Sequence, residues 1–364
     1  MYRMADQMRD FGYEVTAVLP SDEGIADWYD DSDIDTIELW SEPLRRRRST
    51  LGQLTYLFFG LVATLRLAIY VRRNQIDIVH VNDVRFFPGI IAGTLGGARC
   101  ICHVRANYES ETVRSVLSKL ILRFSDRVLC VSKRTREIMF EEVGLSTEQV
   151  DVLYDSVPDP ERFEGDSDGR SFRAELDIDP EVPIVLNVSK MTANKAQDRV
   201  LDAAERVEDA VPNAVFVLVG GVVEGHEDYA DTVTQRAEEL SSVRTAGFVP
   251  DVTEALAASD ISIHLPRHDD PFPGVVLEGM LAGNPVVGSR SGGIPEQIDH
   301  GEIGYLVPKN DGVEEITERL VSLCENDRER QKMGEEAARR CRRIFSPKRF
   351  FKSLDGQYRV ALGN

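Results

Sequence analysis

Lysine is scarce in this 364-residue chain: only 8 of its 43 basic residues are Lys. Basic charge is itself in deficit, with 62 acidic residues and a formal net charge of −19. That balance argues against a general nucleic-acid binder, because a phosphate backbone is recruited by positive charge. Abundant acid and sparse Lys suggest a protein kept soluble in a salty cytoplasm, where repulsion between charges is screened. Cysteine numbers five (Cys100, Cys102, Cys130, Cys324, Cys341) and shows no C-x-x-C spacing. These residues lie mostly on apolar runs, as reduced core residues do. With six His and no His/Cys/carboxylate cluster at ligand spacing, nothing predicts a structural metal. No GxGxxG followed by an acid after the next strand is present, which weighs against a dehydrogenase. No cleavable signal is visible at the start.

What is present is alternation. Short apolar runs alternate with helical patterns, the signature of parallel sheets covered on both faces. In the first half the expected strands are Glu14 to Leu19, Ile76 to Val81, Cys100 to Val104, Arg127 to Val131 and Val150 to Tyr154. The polar stretch Asp155 to Arg170, with Pro158, Pro160, Gly165 and Gly169, reads as a linker. Strands resume with Pro183 to Val188, Ala214 to Val219, Arg244 to Phe248, Ile261 to Leu265, Pro285 to Gly288 and Tyr305 to Val307. The expected class is α/β, with two doubly wound domains at residues 1–165 and 170–345. Ligands in such sheets bind outside the carboxyl ends of the strands, and a cleft between the domains is the expected site.

Residues 260–308 carry the densest chemistry. Asp270 and Glu278 stand eight positions apart around Phe272-Pro273-Gly274, and Gly292-Gly293-Ile294-Pro295-Glu296 follows a second apolar strand. A helix beginning at Gly274 would present unpaired amides, and its dipole, to an anion. A phosphate there leaves a carboxylate further along the helix free for hydroxyl groups, a pairing that suits a sugar nucleotide.

This stretch resembles the donor-binding half of retaining glycosyltransferases of family 4, which have the GT-B fold and a signature of Glu, seven residues, Glu, then Gly-Gly-x-Pro-Glu. The resemblance extends from Phe11 to the last helix, although Asp270 stands where the family has its first Glu. It implies a metal-independent transfer of sugar from a nucleotide diphosphate sugar to a glycan or lipid-linked acceptor, in envelope polysaccharide or glycoconjugate synthesis. It also implies two Rossmann-like domains facing a cleft, with a C-terminal helix over residues 346–364 crossing back to the first domain. Rival readings are a sugar-nucleotide epimerase or phosphorylase on the same fold, and a non-catalytic or truncated donor-binding homologue. Donor hydrolysis without acceptor favours a transferase; nucleotide binding without turnover favours the homologue.

Residue by residue, the resemblance gives Glu278 the ribose hydroxyls and the amides of Gly274, Val275 and Val276 the diphosphate. Asp270 would approach the sugar hydroxyls, with Asp269 as a competitor for that role. In the loop Ser189 to Lys195 the family has Gly-Arg then Lys, where this chain has Ser189, Lys190 and Lys195. Two of eight lysines in one loop can neutralise the charge growing on a departing diphosphate. Lys in place of Arg keeps the charge and loses the bidentate fork. His103 matches a family His facing the cleft and is a catalytic candidate beside Asp270. Ser132 and the turn Tyr154-Asp155 match structural landmarks, with Asp155 replacing an Asn.

Two further segments carry expectations. Arg45 to Arg48 precede the nearly apolar stretch Leu51 to Val71, which holds a single Arg66. It reads either as a helix covering the sheet or as a peripheral contact with an anionic membrane on its cytoplasmic face. At the other extreme, Met1, Met4, Met8 and Phe11 share a helical face, so the chain opens inside a helix. The resembled fold has a strand and a Gly-rich loop before that helix, and the expectation is a translation start further upstream.

Overall fold

The computed structural model describes residues 2–20, 29, 32, 34–39, 50–157, 159–163, 165 and 168–363. The chain forms two compact units, one comprising Met1–Tyr154 with Lys348–Asn364 and the other Asp155–Pro347. Arg45 to Arg48 lie outside the described residues.

In the first unit, β1 (Thr16–Pro20) pairs in parallel with β2 (Asp35–Leu39). The strands β3 (Ile78–Val81), β4 (Arg99–Val104), β5 (Arg127–Cys130) and β6 (Val150–Val152) form a separate parallel sheet in that order. Sequence reading misses β2 because Asp-Thr-Ile-Glu-Leu carries only two apolar residues, of which only Leu39 is buried, so no apolar run marks it. β4 shows why its residues form a strand buried on both sides. Cys100, Cys102 and Val104 face one core, with Ile121 and Met139, while Ile101 faces another, with Leu129. That second core is closed by Phe350, Leu354 and Tyr358 of the last helix, Pro347–Leu362. Polar tips complete the seam: Tyr13 donates to Asp355 at 2.8 Å, and His80 Nδ1 lies 2.8 Å from the Tyr358 hydroxyl. All five cysteines are free and buried, and burial pushes the Cys102 and Cys130 thiols up.

The second unit holds one parallel sheet of six strands: β7 (Ile184–Val188), β8 (Val215–Val219), β9 (Val243–Gly247), β10 (Ile261–His264), β11 (Val286–Ser289) and β12 (Gly304–Val307). Their spatial order is β12-β11-β10-β7-β8-β9, so the winding reverses between β7 and β10. Those two strands are paired at Ile261↔Val185 and Ser262↔Leu186. At such a switch point the connections after neighbouring strands run to opposite faces, and the space above their carboxyl ends is left open to a ligand.

Candidate active site at the sheet switch point

The two loops that leave the switch point are stitched to each other. After β7, residues 189–196 are held from beneath by Gln197, whose Nε2 donates to Ser189 Oγ and to the Lys190 carbonyl, each at 2.8 Å. After β10, the amide of Arg267 donates to the Asn194 carbonyl at 3.0 Å, and His268 Nδ1 lies 3.1 Å from the same oxygen. Lysine and carboxylate therefore meet across strands 75 residues apart: Lys195 Nζ bonds Asp270 Oδ2. His264, the last residue of β10, places Nε2 3.5 Å from the same oxygen.

Asp270 is buried, at 7 % exposed. Burial alone would raise its pKa, but His264 and the Lys195 ammonium outweigh it and hold the carboxyl well below the usual carboxylate range. The sign follows directly. A carboxyl whose folded pKa is depressed contributes stability above its unfolded value near pH ~4, and the contribution is lost as pH falls further. Burial lowers the His264 pKa, and Asp270 acts in the opposite direction.

The neighbouring acid has a different task. Asp269 Oδ1 accepts from the Gly292 amide at 3.1 Å, from Ser291 Oγ at 3.3 Å and from Lys309 Nζ at 2.8 Å. This carboxylate ties the Gly-Gly turn to the β10 loop, so Asp269 is occupied structurally. The turn needs glycine for two reasons. Gly292 has φ +54, and a Cβ there would overlap the Asp270 carbonyl oxygen; one on Gly293 would overlap that of Pro271. The close approach lets the Gly293 amide donate to the Asp270 carbonyl at 2.8 Å. Gly292→Ala therefore sets a Cβ against fixed backbone, with an expected cost of about 3 kcal/mol from strain and overpacking together. For a unit of this size that is a drop of roughly 6–12 °C in melting temperature. An unchanged melt would show that the two loops do not press together.

The helix Gly274–Leu281 begins at Pro273 with no side-chain cap. The Val276 amide turns back to the Pro273 carbonyl at 3.3 Å, and Gln297 Nε2 donates to the same carbonyl at 3.0 Å. Gly274 is exposed and Val275 half-buried, whereas Val276 is 1 % exposed. Gly274 and Glu278 lie one turn apart on one face of the helix. Glu278 is half-buried, and burial raises its pKa, with Arg162 acting in the opposite direction and Asp251 in the same one. Arg162 and Asp251 form an ion pair.

An uncapped helix start, a carboxylate one turn along it, and a lysine–carboxylate pair at the switch point thus all lie in the second unit. Residues 168–340 match the family described as glycosyl transferases group 1, and residues 1–155 match the glycosyl transferase 4-like domain. The chain belongs to this family. It is 27 % identical over 292 residues to N-acetyl-alpha-D-glucosaminyl L-malate synthase of Bacillus anthracis, covering 77 % of this chain and 73 % of that protein. It is 26 % identical to D-inositol 3-phosphate glycosyltransferase of Mycobacterium sp. (strain KMS), spanning 60 % of this chain and half of that protein. Among solved structures, HepE of Anabaena in complex with UDP and glucose superposes with a TM-score of 0.82 at 21 % identity, over 98 % of this chain and 94 % of that one. A glycosyltransferase from Rickettsia africae superposes with a TM-score of 0.84 at 18 % identity, over 100 % and 94 %. The fold is GT-B, and the protein is a glycosyltransferase.

In this glycosyltransferase the structure brings Lys195, Asp270, the helix start at Gly274 and Glu278 into one unit, with Lys190 exposed on the same loop as Lys195. His103 is a correction. It was expected to face a ligand, but it is 0 % exposed, stacked on Phe350 at 6.4 Å and 5.7 Å from the His80 ring. Burial first, and then Arg105, push its pKa well below the ordinary value, so the imidazole is neutral. The reason is register: His103 points to the face covered by the last helix. Two residues beyond it, past the end of β4, Arg105 emerges half-buried and donates to Asn82 Oδ1 at 2.9 Å. Ser132 is also fully buried and caps the turn Lys133–Arg136 by accepting from the Thr135 amide at 3.0 Å, a structural role. Sequence reasoning missed His264 and Lys309. The signal for His264 was its place at a strand's carboxyl end; Lys309 carried none beyond the rarity of lysine.

Proposed function

We propose that this glycosyltransferase moves a sugar from a nucleotide diphosphate sugar to a glycan or lipid-linked acceptor, with retention of configuration and without a metal ion. The observation that carries the reading is the Lys195–Asp270 pair beside the uncapped start of Gly274–Leu281. Lys195 and Lys190 neutralise the charge that develops on the departing diphosphate, which the amides of Gly274 and Val275 also face. Val276 shapes the turn that presents them. Glu278 accepts from the ribose hydroxyls, and Asp270 from hydroxyls of the transferred sugar. Neither carboxylate is a nucleophile. The acceptor attacks from the face the diphosphate leaves, and its proton passes to the leaving phosphate. Relatives support the donor class, since the HepE structures hold UDP, UDP with glucose, or UDP-glucose. The proposed setting is the cytoplasm, at the inner face of the membrane where lipid-linked acceptors are reached.

A thermal-shift panel of UDP, GDP and ADP with their sugars tests the donor class. One nucleotide is expected to raise the melting temperature by several degrees, since a hundredfold excess over Kd contributes roughly 2.7 kcal/mol. Absence of a shift with every nucleotide refutes the reading. Turnover is expected to survive a chelator, and activity lost to the chelator and restored by magnesium refutes the metal-free step.

A further inference from the structure

The helix Thr50–Arg73 covers the first unit's strands with one face and leaves a second apolar face bare. Ala63, Leu67, Ala68 and Val71 are buried, and Leu67, Ala68 and Val71 pack with Leu39 and Ala92. On the outside, Phe58 is 62 % exposed, Leu61 58 %, Leu65 49 % and Ile69 52 %. Helical spacing of three and four puts these four on one stripe, widened by Phe59 and Val62. A helix that only covers a core carries polar residues outward, whereas between Phe58 and Arg73 the outward face of this one is apolar apart from Arg66, Arg72 and Arg73. An exposed apolar stripe of this extent marks a surface that something covers.

Charge says what the partner is. Residues 44–73 contain seven Arg (Arg45, Arg46, Arg47, Arg48, Arg66, Arg72, Arg73) and no Asp or Glu, in a chain with 62 acids and a net charge of −19. Arg66, Arg72 and Arg73 are exposed on the helix itself. A second copy of the chain docked through the same face would set arginines against arginines with no acid on the helix to pair them. An anionic bilayer supplies both terms: hydrocarbon for the stripe and lipid phosphate for the guanidinium groups. Among the described residues no helix is long and apolar enough to cross a membrane, so the contact is one of lying on the surface. We infer that the outer face of Thr50–Arg73 docks this glycosyltransferase on an anionic membrane surface, through Phe58, Leu61, Leu65 and Ile69 with Arg66, Arg72 and Arg73 at the headgroups. This deepens the membrane setting proposed above and does not depend on the donor.

The test is co-sedimentation of the full chain with phosphatidylcholine vesicles and with mixed phosphatidylcholine–phosphatidylglycerol vesicles, at low and at molar salt. Binding to anionic vesicles is expected to exceed binding to neutral ones at least tenfold and to weaken with salt, by roughly fivefold for each arginine neutralised at low salt. The double variant Leu61→Asp, Leu65→Asp is expected to lose vesicle binding. Because both side chains are exposed, its thermal melt and its response to UDP should match the parent, which separates lost docking from lost folding or lost donor binding. Equal binding to both vesicle types, no binding at low salt, or full binding by the double variant overturns the proposal. A dimer in analytical ultracentrifugation that these substitutions dissolve also overturns it, and gives the face to a second copy.

Discussion

Lys195→Ala is expected to lower sugar transfer by about 10²-fold or more, the scale for removing a preorganised charge partner of a developing anion. The same change should cost folding stability, because Asp270 is buried and Lys195 is its ion-pair partner. Stranding one charge of a buried pair costs ~3–5 kcal/mol, and the lower end applies because a quarter of the Lys195 side chain remains exposed. The two effects separate in a double variant. Lys195→Ala with Asp270→Asn removes both charges, so the melting temperature should recover toward the parent while turnover stays low. Lys190→Ala should reduce turnover on a comparable scale with little change in the melt, since Lys190 is exposed. Turnover unchanged in both lysine variants would remove the loop from the mechanism.

Asp270→Asn and Glu278→Gln are expected to split binding from transfer. Glu278 lies one helical turn past Gly274 and is assigned to the ribose in the proposal above. Its neutral isostere should weaken binding of the bare nucleotide diphosphate by roughly tenfold, as loss of a hydrogen bond to a charged acceptor does. Asp270 is assigned to the transferred sugar, which the bare nucleotide lacks. Its replacement should leave nucleotide affinity within about twofold and lower kcat by about 10². Calorimetry with the nucleotide and steady-state kinetics with the sugar nucleotide read the two halves. The reverse pattern would exchange the two assignments.

In the free protein the groups assigned to the diphosphate and to the sugar neutralise each other. Beyond Lys195, the Asp270 carboxylate has His264 Nε2 3.5 Å away, and the Gly293 amide donates to the Asp270 backbone carbonyl.

Much of this protein was legible in one dimension. Periodic burial leaves a period-two or continuous apolar trace, so eleven of the twelve strands of the described residues were readable, and β2 was lost because its exposed, polar residues leave no such trace. The spacing from Asp270 to Glu278, the two lysines of residues 189–195 and the unpaired helix start at Gly274 are local features, and local features are written in order along the chain. What the tertiary structure alone decided is non-local. Lys195 meets Asp270 because the winding of the second sheet reverses between β7 and β10, which brings residues 75 apart into one ion pair. Asp269 and Asp270 are adjacent identical residues, and only the approach of Ser291, Gly292 and Lys309 to the first and of Lys195 to the second gives them different partners. His103 was misread for the same cause: the last helix, some 250 positions away, closes over the face to which its strand register points it. Sequence order records which groups a chain carries and how they alternate; strand order and packing decide which of them share an oxygen, and no periodicity along the chain encodes that.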